Sequence, residues 1–123
     1  IQVNPRSYKV EVITYCLMKE RKLSNKKLAD SSLVGEKTIQ RLRNNEEYPT
    51  TVQTVMGLCY GLKLSVPAAE MLISKTEFHI KPTTPQNNAY RCALSACAET
   101  SIYVINEMLE SCGYEPFGSS SFD

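Results

Sequence analysis

Apolar residues recur at helical spacing over most of the 123-residue chain, and short polar or Pro-containing breaks separate the runs. The pattern predicts a first helix over residues 8–21. Two further short helices, joined by a tight turn, follow in residues 23–44, LSNKKLADSSLVGEKTIQRLRN. A break at residues 48–51, YPTT, precedes a fourth helix that ends near Gly61.

A polar residue followed closely by proline marks the start of the next helix. Ser65, two positions before Pro67, predicts an N-cap and the first turn of a fifth helix that ends near Ile73. Residues 75–84 contain threonines and a proline and are predicted to form an extended linker.

The C-terminal part of the chain repeats the helical pattern. Thr84 and Pro85 form another cap signal, and Gly113 suits the position just after a helix end, so residues 85–113 are predicted to be helical. Because residues 99–101 interrupt the apolar stripe, both one long helix and two shorter ones fit. Residues 114–123 contain the run Gly-Ser-Ser-Ser at 118–121, which has linker composition, and are predicted to form a tail.

The second helix of residues 23–44 has two different faces. Ile39 and Leu42 are predicted to lie on its inner face, and Leu28 and Ala29 on the inner face of the helix before it. The residue types on the outer face can hydrogen bond to base edges and phosphates, which Leu or Val cannot do. An ordinary helical hairpin with a solvated polar face fits the same pattern. The predicted outer positions are Glu36, Lys37, Thr38, Gln40, Arg41 and Asn44.

Five short helices in this order resemble the Cro and lambdoid phage repressor type of helix-turn-helix domain. The resemblance is carried by KERKLSNKKLADSSLVGEKTIQRLRN and YPTTVQTVMGLCYGLKLSV and covers residues 8–74. Three positions depart from the family. Leu33 stands where the family usually has Gly in a turn with positive φ, Gly35 where it favours a Ser or Thr N-cap, and Arg43 where an acidic residue is common.

The resemblance implies an all-α fold, with a five-helix repressor-like domain followed by a long helix or helix pair. It also implies double-stranded DNA as the partner and assigns roles to individual residues. The residues implied to contact bases are Glu36, Lys37, Gln40 and Arg41. Those expected to contact phosphates are Asn25, Lys26, Thr38, Arg43, Asn44 and Asn45.

Charge is unevenly distributed along the chain. The net charge is +1, but residues 19–44 carry eight basic and three acidic side chains, a net charge of +5. Residues 45–123 carry four basic and nine acidic side chains, a net charge of −5. Positive charge is therefore concentrated where phosphates would be neutralised, although a solvated helix surface can also be basic.

Other functional classes have little support in the sequence. The five cysteines are an odd number without a CxxC pair, so we expect neither a disulfide framework nor a zinc site. We interpret the cysteines as buried small hydrophobic residues in a reducing compartment. His79 is the only histidine, and no glycine-rich phosphate loop is present. Enzymatic activity, a metal and a cofactor are therefore not predicted.

No apolar run is long enough to span a membrane, and a cytoplasmic location is expected. The chain begins at Ile1 rather than Met, so we expect it to be a trimmed fragment.

The apolar stripe of the C-terminal extension has two interpretations. It could pack onto the preceding helices, or it could form a homodimer interface, and both are compatible with the pattern. The extension could also bind another protein. The residues predicted for the dimer interface are Val104, Ile105, Met108 and Leu109.

Taken together, these features predict a sequence-specific DNA-binding transcriptional regulator that acts by binding an operator. The alternative is an antitoxin-like or adaptor module that uses the same fold to bind proteins. The departures at Leu33 and Gly35 favour this alternative, and the concentration of positive charge opposes it.

Overall fold

The computed structural model describes residues 10–43, 51–76 and 83–118, and these residues form helices and connections without a strand. The all-α prediction is confirmed for this part of the chain, and the C-terminal extension contains two helices rather than one. The helices are α1 (Val10–Glu20), α2 (Asn25–Ser32), α3 (Glu36–Arg43), α4 (Val52–Gly61), α5 (Val66–Ser74), α6 (Pro85–Leu94) and α7 (Ile102–Ser111).

Hydroxyl side chains begin most of these helices. Each capping hydroxyl accepts a hydrogen bond from the backbone N–H three residues later, which satisfies a donor that has no partner within the helix. The caps predicted at Ser65 and Thr84 are present, each with a proline in the following turn. The same geometry occurs at Ser24, Thr51 and Ser101.

Helix α4 lies at the centre of the described fold. Every residue from Thr54 to Gly61 is buried, and α4 contacts α2, α5 and α7. Two glycines allow α2 to come close to it. A Cβ atom built on Gly57 would lie 2.6 Å from the backbone oxygen of Ser32, and one built on Gly61 would lie 2.7 Å from the Ser32 Cβ atom.

The turn between α2 and α3 contains the positive φ that the resemblance assigns to a glycine. Leu33 adopts the left-handed conformation, with φ 55° and ψ 28°, and its N–H donates to the Ala29 oxygen. The buried Ser32 hydroxyl donates to the Leu28 oxygen at 2.6 Å and accepts from the Val34 N–H at 3.2 Å. These bonds satisfy the N–H groups of Leu33 and Val34 despite the conformational cost at leucine.

Residues 114–118 pack against the core through Phe117, contrary to their prediction as part of a tail. Phe117 is 3% exposed, and its ring centroid lies 4.8 Å from that of Tyr90 and 5.7 Å from that of Tyr60. The Tyr60 hydroxyl also donates to the Ala93 oxygen at 2.7 Å. One aromatic cluster therefore joins α4, α6 and the segment after α7.

Hydrogen bonds hold residues 114–118 at both ends. The Asn106 side chain accepts from the Phe117 N–H at 2.7 Å and donates to the Phe117 oxygen at 3.0 Å. The Tyr90 hydroxyl donates to the Glu115 oxygen at 2.6 Å, and the Gly118 N–H donates to the Gln53 oxygen at 2.9 Å. This segment is therefore fixed to α4, α6 and α7.

The interpretation of all five cysteines as buried is wrong for three of them. Cys16, Cys92 and Cys112 are exposed, and Cys59 and Cys97 are buried. The hydrogen bond between the Cys59 and Cys97 side chains, with burial, raises the pKa of the Cys59 thiol well above its usual range. Cys97 lies in the connection between α6 and α7 rather than in a helix, contrary to the prediction.

The conformation of Leu33 leads to a prediction about stability. Leu33→Ala and Leu33→Gly both remove the leucine side chain, but only glycine adopts positive φ without a steric cost. We expect the glycine variant to be more stable than the alanine variant by about 1 kcal/mol. Urea unfolding of both variants measures this difference, and an alanine variant of equal or greater stability would contradict the conformation described.

Candidate nucleic-acid interface

Helix α3 presents four of its predicted outer residues together at the surface. Glu36, Lys37, Gln40 and Arg41 are exposed, and the buried Ile39 lies on the opposite side of the helix. Their spacing places them on one helical face. This face combines one acidic, one amide and two basic side chains, which are groups that can hydrogen bond to base edges.

Thr38 does not belong to this face, contrary to the prediction. It is 7% exposed, because α3 packs against both α1 and α2 and buries this position together with Ile39. A threonine tolerates such a site because its methyl group can pack against apolar neighbours. The prediction of a phosphate contact at Thr38 is therefore wrong for this geometry.

The beginning of α2 places a basic residue at the surface. Lys26 is exposed in the first turn, where backbone N–H groups and the helix dipole favour an anion. Asn25 is half-buried and has a partner within the chain. Arg43 is the last residue of α3, and its side chain lies outside the description, as do Asn44 and Asn45.

Exposed charge around α2 and α3 is mainly positive. Among the described side chains of residues 19–41, seven exposed ones are basic and three are acidic. A phosphate backbone approaching this surface meets net attraction, which weakens as salt screens it. The basic residues are Lys19, Arg21, Lys22, Lys26, Lys27, Lys37 and Arg41.

Residues far along the chain hold the turn between α2 and α3 in place. A Cβ atom built on Gly118 would lie 2.6 Å from the Leu33 oxygen, so the backbone of residue 118 packs directly on the turn. The roles of Ser32, Gly57 and Gly118 were not predicted from the sequence. Two features of the sequence could have indicated this contact. Ser32 lies four residues after Leu28 and so on the same inner face of α2, and Gly57 and Gly61 are four residues apart on α4.

The four residues predicted for a dimer interface separate into two groups. Val104 and Met108 are 51% and 59% exposed, and Ile105 is half-buried. Leu109 is 3% exposed and belongs to the core, so its assignment to an interface is wrong. The apolar stripe of α7 is part core and part surface, because one side of the helix packs against α4 and the other side is exposed.

The described residues show neither a metal-binding cluster nor a membrane-spanning helix. These residues contain no group of three or more His, Cys, Asp or Glu side chains placed to hold a metal ion. No helix among them has the length and apolar character needed to cross a membrane. His79 lies outside the described residues.

Comparison of the chain with protein-family models, curated proteins and solved structures gives no match.

The position of Lys26 leads to a prediction about salt dependence. If Lys26 neutralises one phosphate, Lys26→Ala should lower the slope of log affinity against log salt concentration by about one unit. Fluorescence anisotropy with a short duplex of arbitrary sequence measures the slope. The matched control is Lys75→Ala at the end of α5, which should leave the slope unchanged. An unchanged slope in Lys26→Ala would contradict the phosphate contact.

Proposed function

We propose that this chain is a sequence-specific DNA-binding transcriptional regulator of the helix-turn-helix type. In this proposal α2 and α3 form the helix-turn-helix unit within a repressor-like arrangement of five helices, α1 to α5. The observation that carries the proposal is the exposure of Glu36, Lys37, Gln40 and Arg41 on one face of α3 while Ile39 anchors the opposite side. The positive surface around this unit supports the same function.

Binding would place α3 in the major groove and α2 across the phosphate backbone. Arg41 or Lys37 can donate to the O6 and N7 atoms of guanine, Gln40 can pair with adenine, and Glu36 can accept from the N4 atom of cytosine. The protein would then act by occluding or recruiting polymerase at an operator, without chemistry of its own.

A protein-binding adaptor is the second candidate. Tyr103, Val104 and Met108 form an exposed, mainly apolar surface on α7, which is the kind of patch that binds proteins. The adaptor alternative predicts that DNA affinity is absent or independent of sequence. The proposed regulator instead requires DNA binding whose affinity depends on the base sequence.

Arg41 tests whether α3 reads bases. Arg41→Ala should cost about 1–3 kcal/mol at one position of a selected binding site and relax the base preference there. Affinities for duplexes carrying each base at each position measure this preference. Arg91→Ala, which changes an exposed arginine on α6, is the control and should leave the preference unchanged. Equal weakening on every duplex would identify Arg41 as a phosphate contact instead.

Dimerisation through α7 forms the second part of the proposal. One helix-turn-helix unit reads only a few base pairs, so a specific operator usually needs two units about one helical turn apart. The exposed Val104 and Met108 are one turn apart on α7 and could pair with the same residues of a second copy across a two-fold axis. Ile105 borders this surface.

Charge introduced on this surface tests the dimer. Val104→Glu should shift a dimer toward monomer, because the two-fold axis would bring the new carboxylates of both copies close together. Val66→Glu is the matched control, since Val66 is also exposed and lies in the first turn of α5, where an acidic residue is well tolerated. Light scattering measures the mass of each variant. A monomeric wild-type chain, or a dimeric Val104→Glu variant, would contradict this interface.

A further inference from the structure

An apolar cavity of about 380 Å³ lies between α6 and α7 and is partly open to solvent. Its volume falls within the range of small-molecule binding sites, about 300–1,000 Å³. The lining side chains come from α6, from the connection after it, from α7 and from the segment that follows α7. They include Ala89, Ala93 and Ala96 on one wall, and Thr100, Met108 and Tyr114 elsewhere.

Small side chains on one wall account for this space. Ala89 and Ala93 lie one turn apart on α6, Ala96 follows in the connection, and each presents only a methyl group to the cavity. Carbon atoms that line such a space lack contacts they would make in a filled core, so an apolar occupant would gain dispersion energy there.

The chemistry of the walls selects one class of ligand. No charged side chain lines the cavity, so a charged group would lose hydration without gaining a partner. The polar groups among the lining side chains are the hydroxyls of Thr100 and Tyr114 and the weakly polar thiols of Cys92 and Cys112. The site therefore suits an uncharged, mainly apolar molecule with few hydrogen-bonding groups.

A short segment connects the cavity to the turn before α3. Tyr114 lines the cavity, and the chain runs from it to Gly118, which packs on Leu33. Between them lies Phe117, whose backbone N–H and carbonyl oxygen both hydrogen bond to the Asn106 side chain. The Phe117 ring lies in the aromatic cluster of the core. Only four residues along the chain therefore separate Tyr114, at the cavity, from Gly118, which contacts the turn between α2 and α3.

We propose that the cavity between α6 and α7 binds an uncharged, mainly apolar small molecule, and that residues 114–118 couple its occupancy to the turn at Leu33. The regulatory meaning of this coupling rests on the proposed DNA-binding function. A ligand that packs on Tyr114 restricts the segment and holds Gly118 against the turn. By linkage, a bound duplex that favours the same arrangement would raise the affinity for the ligand by the same factor.

Binding is tested with N-phenyl-1-naphthylamine, an uncharged aromatic probe whose fluorescence rises in apolar surroundings. We expect saturable binding to the wild-type chain and a loss of at least about tenfold in affinity for Ala96→Leu, which fills the cavity. Ala98→Leu is the matched control, because Ala98 is exposed and is not among the cavity-lining residues. Met108 is left unchanged, since it borders both the cavity and the proposed dimer surface.

Two results would overturn the binding site. One is the absence of saturable binding to the wild-type chain, and the other is equal affinity in Ala96→Leu and Ala98→Leu. If circular dichroism shows that Ala96→Leu is unfolded, Ala89→Leu on α6 fills the same cavity from another position and replaces it in this comparison.

Hydrogen exchange tests the coupling without DNA. Saturating probe should slow exchange of the Gly118 amide, which donates to the Gln53 oxygen, and of the Leu33 amide, which donates to the Ala29 oxygen. The internal control is the amide of Leu64, a residue that follows α4 and donates to the Cys59 oxygen. The exchange rate of this amide should change less. Unchanged exchange at Gly118 and Leu33 would overturn the coupling.

The probe titration and the exchange measurement both work without DNA. Failure of the cavity or of the coupling can therefore be distinguished from failure of the proposed function, which is measured by duplex binding without the probe.

Discussion

The close approach of α2 to α4 is the contact on which the position of α3 depends. Gly57 and Gly61, one turn apart on α4, leave space that the backbone and side chain of Ser32 occupy. Any side chain at Gly57 would meet the Ser32 backbone oxygen, which cannot move without shifting the end of α2. Because α2 leads directly into the turn and then into α3, this contact sets the direction of the exposed α3 face.

The C-terminal helices belong to the same packed structure. Tyr60 of α4 binds the Ala93 oxygen and contacts Phe117, and Gly118 rests on both Gly57 and the turn at Leu33. The α2–α3 pair is therefore supported from two sides, by α4 beneath it and by the end of the C-terminal segment beside it. The C-terminal extension is therefore packed into the same core as the α2–α3 pair rather than attached to its outside.

Features encoded by local sequence could be predicted. The caps at Ser65 and Thr84 and the end of α7 just before Gly113 depend on a few neighbouring residues. The positive φ at Leu33 was implied only by the resemblance, because sterics alone disfavour it at a leucine. The exposed positions of α3 followed from helical periodicity for the same reason.

Features decided by tertiary packing could not be predicted. Thr38 is polar, but its burial depends on the approach of α1 and α2 to α3. Leu109 and Val104 belong to one apolar stripe, and only the placement of α7 against α4 separates a core residue from a surface one. Phe117 follows a turn-rich segment whose composition resembles a tail, and it becomes core through contacts with residues more than twenty-five positions away.

Selection of bound duplexes from a random library, followed by sequencing, tests the central claim most directly: that the exposed face of α3 reads DNA. The wild-type chain should enrich one sequence with two inverted half-sites whose centres lie about 10 base pairs apart, because two α3 helices must enter successive major grooves on one side of the duplex. Recovery of duplexes without sequence enrichment, or retention of none even at low salt, would contradict the claim and favour a protein partner for this surface.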